Sequence, residues 1–137
     1  MDFLKTEVVK ILLKLCILRL LIQSILNMQL NEYQNEASKT ARLDHVGVDP
    51  IVFLGLCLSG EVGEVNEKIK KALFVNEDLY SINFKENISH ELGDVLWYLS
   101  QLAKQLNLNL DDIAKDNLLK VNFRMERSKL AGSGDSR

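Results

Sequence analysis

One seven-residue pattern constrains this chain more than any other feature, because it occurs twice. Ser59-Gly60-Glu61-Val62-Gly63-Glu64-Val65 is echoed by Ser89-His90-Glu91-Leu92-Gly93-Asp94-Val95, and both copies read Ser-x-Glu-apolar-Gly-acid-Val. Each lies in an apolar pattern of helical period. Leu58, Val62, Val65, Ile69 and Ala72 carry the first stripe; Ile88, Leu92, Val95, Leu99, Leu102 and Leu106 carry the second. Steps of four and three mark one buried face of a helix, so the chain is expected to be all-α with these two helices paired as a hairpin.

The acids keep one register against both stripes. Glu61 and Glu64 each precede a stripe residue, and so do Glu91 and Asp94. Residues three apart on a helix are neighbours, roughly 4.5 Å apart along the axis. An antiparallel hairpin then brings four carboxylates to the edge of the core, where they repel one another unless a cation sits among them. Oxygen donors without Cys or His suit a hard divalent ion such as Mg²⁺ or Mn²⁺. Gly63 and Gly93 each cost a helix roughly 1 kcal/mol relative to Ala. Close approach of the two backbones is the expected reason for them.

Written out, GLCLSGEVGEVNEKIKKALF and ELGDVLWYLSQLA resemble the MazG-like, all-α nucleoside triphosphate pyrophosphohydrolases. The resemblance covers about residues 28–137 and is densest around the acids. It implies Mg²⁺-dependent hydrolysis of a nucleoside triphosphate to the monophosphate and pyrophosphate, with Glu61, Glu64, Glu91 and Asp94 as metal ligands and catalytic acids. Many members carry a further Glu directly before the first, where this chain has Gly60. The Gly-Glu-Val-Gly-Glu form is more similar to the branch of dCTP pyrophosphatases and phage MazG-like enzymes. Metal count, base and sugar preference, and the identity of the general base stay open.

At 137 residues the chain is one domain with a single core. A net charge of −2 gives no basic footprint for a nucleic-acid polymer. Cys16 and Cys57 lie in apolar runs, lack metal-ligand spacing and read as free core thiols of a reducing, cytoplasmic compartment. Residues 1–27 are apolar, but Lys10, Lys14 and Arg19 interrupt them, and a membrane span needs about 20 largely apolar residues. No small-x-small cleavage pattern follows. The favoured reading is a non-essential leader, or a start codon placed too early; the rival is an extra helix packing on the bundle or on a membrane surface. The domain is expected over 28–130.

Residues 29–42 read as a polar helix with Leu30, Tyr33 and Ala37 on one side and Asn31 as N-cap. The resemblance puts this helix beside the nucleotide, so Tyr33 or Gln34 could touch the base; ordinary packing is at least as good a reading. Asp49-Pro50 opens the second helix, about 51–74. Its first turns are apolar all round and are expected to be buried, in a subunit interface. Lys68, four after Glu64, could pair with an acid or reach a phosphate, whereas Glu67, Lys70 and Lys71 read as surface charges. Residues 75–87 read as a connection, with Asn87 or Ser89 capping the third helix. There Tyr98, four after Asp94, is a candidate ligand for sugar or phosphate, Trp97 reads as core or interface, and His90 as an exposed bystander.

Asn109 to Asp112 read as the acidic cap of a fourth helix, with Ile113, Leu118, Val121 and Met125 inward. Asn117, Lys120 and Arg124 share one side, and such donors suit triphosphate oxygens. The resemblance places Asn, Lys and Arg on the last helix in this way. The tail 131–137 reads as flexible, and its Gly-Ser-Gly-Asp-Ser-Arg is similar to the ending of phage-type relatives.

The expected architecture is thus a hairpin-based bundle of four core helices, completed as a homodimer or homotetramer, because one hairpin cannot cover its own apolar runs. A second reading is a non-catalytic, metal-stabilised interaction module, which would not need four acids together with donors on the last helix. A ferritin-type di-metal bundle ranks last, because it uses Glu-x-x-His pairs and neither copy has them.

Overall fold

The computed structural model describes residues 7–16, 19, 28–44 and 47–126, and those residues form helices, turns and loops without a strand. Beyond a helical stretch at 7–16, four helices follow: α1 (Leu30–Ser38), α2 (Pro50–Phe74), α3 (Ile82–Gln105) and α4 (Leu110–Glu126). The chain is all-α, as the periodicity requires. The tail 131–137 and most of 1–27 lie outside the described residues. Among those described, no helix is long and apolar enough to cross a membrane.

Local chemistry sets the helix ends. Asp49 caps α2 by accepting from the Ile51 N–H at 2.7 Å, with Pro50 in the first turn. Ser81 caps α3 by accepting from the Phe84 N–H at 3.1 Å. The connection is therefore shorter than the expected 75–87. Asn87 and Ser89 lie inside α3, where the Ser89 hydroxyl donates to the Glu86 carbonyl at 2.8 Å. Phe84 and Ile88 carry the helical spacing back from Leu92, which is why the helix starts a full two turns early. Both hairpin helices end on a left-handed asparagine, Asn76 (φ 49°) and Asn107 (φ 58°). The Glu77 and Leu108 N–H groups reach back 2.9 Å to the Ala72 and Ala103 carbonyls, closing two Schellman turns.

α2 and α3 form the principal hairpin, and α1 lies against α3 and the start of α4. The asparagine expected to cap α1 does another job. Gln29 precedes α1 and Glu32 accepts from its N–H at 3.0 Å, while the Asn31 side chain accepts from the Asp111 N–H of α4 at 3.0 Å. Gln34, only 2% exposed, donates to the Leu108 carbonyl at 2.9 Å and the Ser100 carbonyl at 3.3 Å, and accepts from the Leu110 N–H at 3.3 Å. Two side chains of α1 thus satisfy orphan amides at the start of α4. Gln34 is a buried clasp, so the reading that set it against a base is corrected.

The core is small: Ala37, Leu54, Ala72, Ala103 and Leu110, with the polar Gln34, Glu91, Ser100 and Gln101. Only part of each stripe is covered as expected: Leu58, Val65, Ile88, Val95 and Leu102 are half-buried and Ala72 is buried. Val62, Ile69, Leu92, Leu99 and Leu106 are exposed, and at the start of α2 only Leu54 is covered, with Leu56 70% exposed. Ile113, Leu118, Val121 and Met125 of α4 are exposed as well. The remaining stripe members lie on the outside of a single chain. Gly63 and Gly93 lie on that outer side, and an added Cβ at either meets nothing within 4 Å. Close backbone approach is therefore not their reason in this chain.

Candidate active site

The antiparallel hairpin places the two acidic motifs opposite each other. Glu61 and Glu64 of α2 and Glu91 of α3 each offer a carboxylate oxygen within 4.8 Å of the other two. Glu91 is 9% exposed, Glu61 half-buried and Glu64 exposed. Asp94 stands outside this tight trio, one helical turn further along α3, yet its charge acts on Glu61. Partial burial pushes the Glu61 carboxyl up, and the negative charges of Glu64, Asp94 and Glu91 push it further. Like charges so close together oppose ionisation of Glu61, and a cation among them would relieve that repulsion.

The ladder continues on both sides. Towards the hairpin tip, the Lys68 ammonium of α2 crosses to Glu91 at 3.2 Å, so the lysine pairs with an acid, though on the other helix and not on its own. Glu67 is occupied elsewhere: Lys70 and Lys71 bind it, Lys71 at 3.4 Å, and the hydrogen bond from Lys70 is the main cause that lowers its carboxyl. In the other direction the Tyr98 phenol meets Cys57, with Glu61 and Asp94 near enough for their charges to act on it. Burial first, then the Cys57 thiol and those two acids, push the phenol up. Tyr33 of α1 faces the same end, raised by burial and by Asp94. Trp97 packs edge-on to Tyr98 at 4.9 Å and donates to the Thr40 hydroxyl at 2.9 Å, so it is half-buried between α3 and the end of α1. His90 is exposed and outside the trio.

Asn117, Lys120 and Arg124 all stand on α4. Asn117 borders a cavity of about 230 Å³ with Leu30, Leu96, Leu99, Leu110, Ile113 and Ala114. Asn117 and Lys120 border a second one with Leu108, Ile113 and Asp116. Neither cavity includes any of the four acids. Arg124 is half-buried further along the helix. Asp111 and Asp112 take the structural place expected of them, in the first turn of α4. Cys57 was read only as a core thiol. Its spacing of four from Glu61 puts it on the acidic edge, and that spacing was available in the sequence.

The family model described as the MazG nucleotide pyrophosphohydrolase domain matches residues 53–128, more than half the chain and the whole acidic hairpin. The chain belongs to this family. The Gene 37 protein of Mycobacterium phage L5 is 35% identical over 114 residues, covering 80% of this chain and all of that relative. The similarity to phage members of the MazG family read from the Gly-Glu-Val-Gly-Glu motif is thereby borne out. No solved structure matches the chain. Family membership supports nucleotide pyrophosphohydrolase activity, and the carboxylate cluster accords with the divalent-metal dependence general in MazG enzymes.

Proposed function

We propose that this MazG domain hydrolyses a nucleoside or deoxynucleoside triphosphate to the monophosphate and pyrophosphate, with Mg²⁺, or Mn²⁺ in its place, held by Glu61, Glu64, Glu91 and Asp94. One observation carries the reading: three of these carboxylates lie within 4.8 Å of one another, and Glu61 carries the electrostatic strain of the fourth. The donor set fits a hard ion, being oxygen alone and drawn from both helices. A divalent ion there supplies charge neutralisation on the phosphates and acidifies water.

The chain's own groups then have separable tasks. The carboxylates would hold the divalent ion whose charge offsets that of the anionic polyphosphate, and one of them accepts the proton of the attacking water. The Tyr98 phenol would donate to the sugar or α-phosphate, a role supported by its standing beside Cys57 and near Glu61 and Asp94. Lys68, on the same edge as Glu64 and paired with Glu91 at 3.2 Å, is a cation at the cluster for the leaving pyrophosphate. Asn117, Lys120 and Arg124 are assigned to the triphosphate from their spacing and the family resemblance alone; the cavities that Asn117 and Lys120 border hold no acid of the cluster.

Exposed apolar faces on α2, α3 and α4 support a homodimer or homotetramer that buries them against a second copy, which light scattering tests directly. A cytoplasmic setting, where nucleotides are made and used, belongs to the same reading. The decisive assay is pyrophosphate release from the eight common NTPs and dNTPs, with Mg²⁺ and with EDTA. A signal lost with EDTA and in Glu64→Gln supports the reading and names the substrate. Metal uptake without turnover of any of them favours the interaction-module reading instead.

A further inference from the structure

The Lys68–Glu91 pair differs in kind from the other ion pairs around it. Lys10–Glu7, Lys39–Glu36, Lys70–Glu67, Lys71–Glu67 and Lys115–Asp112 each join residues three or four apart on one exposed helix surface. Lys68 instead spans two helices, and its acid has a side chain only 12% exposed. A carboxylate so enclosed needs a partner, since an unpaired buried charge is strongly disfavoured. Glu61 and Glu64 on either side are acids and supply none.

We infer that Lys68 is a tethered counter-ion of the acidic cluster, held on Glu91 while no divalent ion is bound, and that metal loading displaces it and frees the ammonium for a phosphate of the substrate. This rests on the metal reading proposed above and adds to it a coupling between two events at one site. The ammonium Nζ is 3.2 Å from Glu91 Oε1, and Glu91 also offers an oxygen to the Glu61–Glu64 group. A doubly charged ion drawn to those oxygens competes with the lysine for the same acid and repels it. Lys68 is half-exposed, on a flexible four-carbon stem one turn beyond Glu64, so release needs no rearrangement of the helices. Before the metal arrives, the lysine is the cation that spans the two helices to Glu91. It thereby sets the metal concentration at which the site fills.

The test is Mn²⁺ titration of the full chain, without nucleotide, followed by the electron paramagnetic resonance signal of the free ion. Lys68→Met keeps the length of the side chain and removes the competitor, so Mn²⁺ is expected to bind about tenfold tighter, or about 1.4 kcal/mol. The metal-induced rise in melting temperature should grow in step, because Glu91 lacks any partner in the metal-free variant. Lys68→Arg guards against a variant that fails to fold. Its guanidinium grips a carboxylate bidentately, so Mn²⁺ should bind about threefold weaker than to wild type. In turnover, Lys68→Met should show a raised KM for the triphosphate although its metal binds better, a pair of opposite shifts that a merely structural role does not give. Equal or weaker Mn²⁺ binding in Lys68→Met, or an unweakened Lys68→Arg, overturns the inference and leaves the pyrophosphohydrolase reading standing. Wild type that takes up no Mn²⁺ overturns both.

Discussion

Two polar clusters, one buried and one only partly so, lie along the same helix, α3, and they are built in opposite ways. At its C-terminal end, Gln34, Ser100 and Gln101 are almost fully enclosed, and every polar atom finds a partner. The Gln34 amide serves two carbonyls and one N–H, the Gln101 amide donates to the Ser100 hydroxyl at 3.0 Å, and that hydroxyl donates to the Trp97 carbonyl at 2.8 Å. At the middle of α3, Glu91 meets Glu61 and Glu64, acceptors facing acceptors, with one lysine as relief. A satisfied polar cluster fixes a structure. A cluster of like charges that its own chain leaves under-neutralised is unfinished without a ligand, and here that difference separates architecture from chemistry.

The largest effect should come from the unfinished cluster. Glu64→Gln removes one charge and is expected to lower pyrophosphate release by on the order of 10³-fold, the loss typical when one charge-stabilising group of an active site is deleted. Its melting temperature in EDTA should hold or rise, because repulsion is relieved. Activity that survives, or a fold that collapses, would make this cluster structural and dissolve the contrast. Gln34→Leu tests the other side. It strips the Leu108 carbonyl and Leu110 N–H of their partner in a dry place, which should cost about 3 kcal/mol in urea denaturation. Mn²⁺ affinity of the folded variant should stay near that of wild type.

A smaller, pH-dependent effect sharpens the same comparison. The Glu61 carboxyl is pushed above its ordinary 4.5, by burial and then by its acidic neighbours. Over the window above that value, the folded chain holds a proton that the unfolded chain has already lost. Stability from this group therefore falls as pH rises through the window. Glu61→Gln lacks the penalty, so its melting temperature in EDTA should gain on wild type as pH increases from about 4.5. Saturating Mg²⁺ should close the gap. A gap that stays constant with pH would show that the acids do not feel one another in solution.

The hairpin and the acids were legible because both are written at helical period: an apolar step of four and three, and an acid before two residues of each stripe. The Gln34 clasp was not, because its partners at Ser100, Leu108 and Leu110 lie far along the chain and nothing local marks a glutamine for burial. Asn76 and Asn107 could have been read as helix stops, since asparagine tolerates the left-handed region. The stripes misled in an instructive way. Periodicity reports which side of a helix is apolar, not which side its own chain covers, and Leu92 stands 52% exposed next to Glu91 at 9%. The α4 donors were a matter of spacing alone, and spacing within one helix does not fix the distance to another.

That misreading leaves the smallest and most informative prediction, at the two glycines of the motif. Nothing in the single chain crowds a Cβ at Gly63 or Gly93, and both positions are helical and exposed. Helix propensity alone then favours alanine, so Gly63→Ala and Gly93→Ala should each stabilise a monomer by about 0.5–1 kcal/mol in denaturant unfolding. The glycines stand on the outer side, beside Val62 and Leu92, whose apolar side chains face outwards in the single chain. If a second copy packs there with its backbone close, a methyl group is resisted, and alanine should weaken association while still stabilising the dissociated chain. Denaturation measured across a range of protein concentrations separates the two cases. A gain at every concentration locates the glycines on a free surface; a gain only in dilute solution locates them at the contact between copies, where close approach would supply the reason for them that the hairpin itself does not.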